Sequence, residues 1–180
     1  MLKRFPSPGE IIQAFAFIAF LVYGRILYFF AWKLPSWLVN LKLGEIFSVL
    51  SYSLVFAFLE CLGLTLILLA ICFVLPSKWF RNEFVARSTW LIIVWLVSIM
   101  IYFARMSSLG TDLGLTVVDY MYPWIIVTLG IAALAGFAST RIRVMRTAAL
   151  WFADRAIIFL FIFLPASLIG LIVMVFRNIG

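Results

Sequence analysis

Glu60 sits inside an uninterrupted apolar run, Phe58-Leu59-Glu60-Cys61-Leu62, and Arg25 sits inside another. Ionisable side chains within such runs serve in membranes as proton or cation relays, as acids beside a bound ligand, or as hydrogen-bonding ties between helices. Ser53, seven residues before Glu60, falls on the same helical face and extends a short polar stripe. Asp112 and Asp119, also seven apart, lie in the least apolar stretch, from Met106 to Tyr122, with Gly110 and Gly114. Paired carboxylates at that spacing can hold a cation or pass a proton, and Arg105 precedes them.

Other chemistries are excluded by what the sequence lacks. It contains no histidine. That removes His-ligated haem, the H-E-x-x-H zinc site and any Ser-His or Cys-His nucleophile pair. Cys61 and Cys72 fall on one helix, where eleven residues at a 1.5 Å rise separate them by about 16 Å, too far for a disulfide. No phosphate-binding glycine loop and no Asp-rich prenyl-binding box is present. The expectation is a non-catalytic protein with no metal site and no cofactor.

These residues must be positioned by membrane helices. The chain has 180 residues, of which 67% are hydrophobic and 12% charged. Soluble domains are roughly half apolar and about a quarter charged. A core able to bury that excess is larger than a chain of this length encloses, so lipid must solvate it. Five runs reach the length of about 20 residues that spanning requires. They are residues 10–32, 46–75, 88–104, 123–139 and 156–176. Ser7 and Pro8 are placed to cap and start the first, Pro76 to stop the second, and Pro165 to kink the fifth.

The net charge of +7 does not point to nucleic acid, because the basic residues cluster at span ends and in short loops. Nine of them fall on the side of the N-terminal segment: Lys3, Arg4, Lys78, Arg81, Arg87, Arg141, Arg143, Arg146 and Arg155. Four (Lys33, Lys42, Arg105 and Arg177) fall on the other. That asymmetry predicts a cytoplasmic N-terminus and an external C-terminus, with the short loops fitting a bacterial cytoplasmic membrane. Arg141, Arg143 and Arg146 are expected to meet lipid headgroups.

Two loop segments read as short interfacial helices. Ser36 to Leu41 has a capping serine and a following Gly44. Arg141 to Arg155 places Ile142, Met145, Ala149 and Phe152 on one face. In the fourth span Thr128, Ala132, Gly136 and Thr140 recur every four residues, a small-residue face suited to a helix–helix seam.

The predicted fold is therefore an all-α membrane protein, a single domain of five transmembrane helices with interfacial helices in its loops. With the first span ending at Trp32, Arg25 lies about 10 Å and Glu60 about 21 Å below the outer surface. Arg25 is then expected to snorkel to the headgroups rather than reach Glu60. The leading functional expectation is an accessory subunit packing against lipid and other membrane proteins. The alternative is a small transporter working through Glu60.

Overall fold

Ser7 opens the first helix by the route its sequence predicts. Its hydroxyl caps the backbone N–H of Glu10, and the Glu10 carboxylate accepts the Ser7 N–H at 2.7 Å, a reciprocal capping box with Pro8 in the first turn. The computed structural model describes residues 6–75, 80, 83–108 and 113–179, without the side chains of 107, 108 and 113–119. Those residues form five long helices and no strand: α1 (Pro8–Asn40), α2 (Leu43–Val74), α3 (Phe84–Ser108), α4 (Leu113–Arg141) and α5 (Arg143–Ile179). Each contains a stretch long and apolar enough to cross a membrane. The fold class is all-α, as the composition requires.

The helices run further than the apolar runs alone indicate. Pro35 does not end α1, which continues to Asn40. Pro35 has no N–H to give the Ala31 carbonyl and its ring crowds that carbonyl, but its fixed φ is compatible with a helix and spanning helices tolerate such a residue. The rings of Phe30 and Trp37 pack edge to face across it at 5.4 Å. The expected interfacial helix at Ser36–Leu41 is thus the last turn of α1. Likewise α4 begins at Leu113 and carries Pro123 in its interior. The segment from Arg143 to Arg155 forms the first turns of the 37-residue α5, not a separate helix. Of its predicted apolar face, Ala149 is buried, Met145 half-buried, and Ile142 and Phe152 exposed.

Only Leu41 and Lys42, both extended, separate α1 from α2. Leu41 donates to the Trp37 carbonyl at 2.7 Å, and the Lys42 N–H donates to the Glu45 carboxylate at 2.8 Å. So tight a connection folds two consecutive helices into an antiparallel hairpin. Within α2 the hydroxyls of Ser48, Ser51, Ser53 and Thr65 each donate to the carbonyl four residues back, at 2.7–2.9 Å. Satisfied internally, they cost little in hydrocarbon. Leu75 is extended, as a residue before proline prefers, and α2 stops there.

The chain forms two compact units, one from residues 1–81 and 152–180, the other from residues 82–151. In the first, α5 is tied to both helices of the hairpin. Tyr23 lies flat on Phe163 with ring centroids 4.4 Å apart, and Phe20 leans on Phe159 at 4.9 Å. The Tyr23 hydroxyl hydrogen-bonds Ser167, whose own hydroxyl donates to the Leu54 carbonyl at 3.3 Å. Gly170 packs against the Ser51 backbone, and Asn178 donates to the Tyr52 hydroxyl at 2.8 Å. Each aromatic pair contributes about 0.5–1.5 kcal/mol beyond its buried area.

In the second unit α3 and α4 pack together through a polar knot. The hydroxyls of Ser98 and Thr128 are 2.5 Å apart, and the Trp124 indole donates to Ser98 at 2.8 Å. The start of α5 joins α3 through the Trp90 indole, which donates to the Met145 carbonyl at 3.2 Å, and through an Arg146–Glu83 ion pair at 2.9 Å.

Candidate functional site

Arg25 and Glu60 meet. One guanidinium nitrogen, Nη2, donates to both carboxylate oxygens of Glu60, at 2.7 Å to Oε1 and 2.6 Å to Oε2. The expected snorkelling of Arg25 is therefore corrected, and the cause is the true end of α1. Arg25 is 16 residues before Leu41, and Glu60 is 18 after Lys42. By helical rise the two lie about 24 Å and about 27 Å from the connection, level within about 3 Å. Ending the first span at Trp32 placed Arg25 too close to the surface. Both residues in fact sit near the centres of their helices.

A single charge at mid-membrane costs about 2.5–3.5 kcal/mol on insertion scales. Pairing offsets part of that cost by giving each charge an opposite partner. The pair is not sealed in the interior. The Arg25 side chain is 21% exposed and that of Glu60 35%. On α2, Glu60 stands at the edge between a buried face, marked by Ala57 and Cys61, and an exposed one, marked by Phe56 and Leu59. On α1, Tyr23 is buried whereas Gly24 and Tyr28 are exposed. Gly24 and Gly63 flank the pair, and a Cβ added to either meets no atom within 4 Å.

The donor count leaves chemistry unused. A guanidinium has five N–H groups and a carboxylate about four acceptor positions. Both contacts use Nη2 alone. Among the described residues nothing accepts from Nε or Nη1, and each Glu60 oxygen takes one donor. The arrangement can therefore bind a further group that both accepts and donates hydrogen bonds. Ser53 does not take part, since its hydroxyl donates to the Val49 carbonyl at 2.7 Å.

The small-residue face of α4 is buried at Thr128, Ala132 and Gly136 and half-buried at Thr140. Thr128 is the position that bonds α3. At Gly136 a Cβ meets nothing within 4 Å among the described residues, so no close backbone approach depends on it. The close approach lies instead at Gly170, where a Cβ would stand 2.9 Å from the Ser51 carbonyl oxygen.

The basic cluster divides. Arg143 is exposed, Arg141 lies over the Phe137 ring at 5.3 Å, and Arg146 pairs with Glu83 rather than being available only to lipid phosphate. Between α3 and α4 a groove of about 200 Å³ is lined by Trp95, Tyr102, Phe103 and Met121 around the Ser98–Thr128–Trp124 knot. The Asp112 residue and the Asp119 side chain lie outside the described residues. Among the described residues no group of three or more metal-ligating side chains converges.

Sequence reasoning missed Tyr23, Ser167, Gly170 and the Glu83–Arg146 pair. Tyrosine, serine and glycine are ordinary in spanning helices, and only the partner helix gives them a role. Comparison of the chain with protein-family models, with curated proteins and with solved structures finds no match.

Proposed function

We propose that this chain is a non-catalytic, multi-pass membrane subunit that packs within a larger membrane assembly. One observation carries the reading: a charged pair at the centres of two spanning helices, part-exposed and with hydrogen-bonding capacity left over. Hydrocarbon cannot fill that capacity, whereas a neighbouring protein helix can. The other polar contacts tie the chain's own helices together: Tyr23 to Ser167, Ser98 to Thr128 and Trp124, and Trp90 to Met145.

The nine-to-four distribution of basic residues supports a cytoplasmic N-terminus and an external C-terminus, and the short loops fit a bacterial cytoplasmic membrane. Capture of the tagged full chain from its native membrane in mild detergent tests the proposal. Identified membrane proteins in stoichiometric amounts are expected. Recovery of this chain alone would overturn the reading. So would Glu60-dependent proton or cation flux by the isolated chain in proteoliposomes, which would make it a transporter.

A further inference from the structure

We infer that the Arg25–Glu60 pair is the contact point between two copies of this chain within the membrane. The inference rests on the assembly reading above and deepens it by naming a partner. Nε and Nη1 of Arg25 lack an acceptor among the described residues, and the Glu60 oxygens keep acceptor positions free. Both deficits belong to one pair, and that pair is part-exposed.

A copy related by a two-fold axis along the bilayer normal has the same orientation and the same depth. It sets the Arg25 of one chain opposite the Glu60 of the other, twice. The unused donors then face the unused acceptors in a ring of four charged side chains, an isologous contact complementary to itself. A single acceptor on an unrelated helix would add a partner for Arg25 alone, and a neutral amide or hydroxyl there would meet both groups without matching their charges. A second copy supplies both halves. Space for the approach exists, because no atom lies within 4 Å of a Cβ at Gly24 or Gly63. Tyr28, Phe56 and Leu59 are exposed beside the pair and supply apolar contact area.

The test reads self-association of the full chain. Alone in nanodiscs of phosphatidylethanolamine and phosphatidylglycerol, the wild-type chain is expected to be dimeric, and monomers would overturn the inference without any variant. Two differently tagged copies are then co-expressed, and capture of one is scored for the other. Arg25→Glu and Glu60→Arg are each expected to lose capture of their own kind by at least about tenfold, or about 1.4 kcal/mol. Mixing the two variants restores opposite charges across the two-fold and should restore capture. The double exchange R25E/E60R, with an intact internal pair, should capture itself. Failure of the mixture in the presence of a self-capturing double exchange would overturn the inference. A monomer in nanodiscs that still brings down other membrane proteins from native membranes would leave the assembly reading standing. A dimer that brings down none would do the reverse.

Discussion

Gly170 of α5 rests directly on the backbone of Ser51 in α2, so close that a Cβ would stand 2.9 Å from the Ser51 carbonyl oxygen. The neighbouring atoms are backbone and cannot swing aside. Gly170→Ala should therefore destabilise the chain despite the better helix propensity of alanine, by about 1–3 kcal/mol from overpacking less about 1 kcal/mol of propensity. Gly136→Ala, at a position with open space, should be neutral or slightly stabilising. Paired thermal unfolding of the two variants in detergent checks the contrast, and equal effects would count against it.

Tyr23, Ser167 and the Leu54 carbonyl form a directed chain. Ser167 donates to Leu54, so it must accept from the tyrosine hydroxyl. Tyr23→Phe removes a donor and leaves Ser167 with a partner. Ser167→Ala leaves a buried tyrosine hydroxyl unmet. The second substitution should cost more, about 1–3 kcal/mol against about 0.5–1.5 kcal/mol for the first. Unfolding free energies of both, with the double variant, measure the asymmetry.

Five spans were legible in the sequence because hydropathy and length suffice to find them, and the Ser7 cap was legible because it is local, whereas its return bond from Glu10 was not read. Arg25 and Glu60 stood out as the charged exceptions in apolar runs. Their meeting was not legible, because it depends on where α1 ends, and Pro35 reads as punctuation when only the chain is seen. The Phe30–Trp37 contact that spans that proline is a property of the folded helix. The Thr128 stripe was visible as a packing pattern. Its bond to Ser98 was not, since Ser98 carries no periodic signal of its own.

The Ser98–Thr128–Trp124 knot gives a local prediction within the second unit. Ser98→Ala removes the shared partner of a hydroxyl and an indole N–H, while the rings of Tyr102 and Trp124 remain 5.9 Å apart. The expected loss is about 1–2 kcal/mol, with a change in indole fluorescence that Ser53→Ala, whose hydroxyl meets only its own helix, does not produce.

The Glu83–Arg146 pair is the outlying electrostatic contact, with the arginine side chain 51% exposed. Glu83→Gln should cost less than about 1 kcal/mol, because exposed pairs are screened and entropically expensive. The difference from wild type should vanish in about 1 M salt, where the screening length falls to about 3 Å. Thermal unfolding across a salt series reads this directly.

The central claim is that this chain is a subunit of a larger membrane assembly, held together through the contact its Arg25–Glu60 pair makes between copies. The most direct test compares what co-purifies with the wild-type chain and with Glu60→Gln, both captured from native membranes at equal membrane levels. The account predicts stoichiometric, identified membrane partners for the wild type and at least about a tenfold loss of them in the variant, equivalent to about 1.4 kcal/mol. An unchanged set of partners in the variant, or a wild-type chain recovered alone, would contradict it.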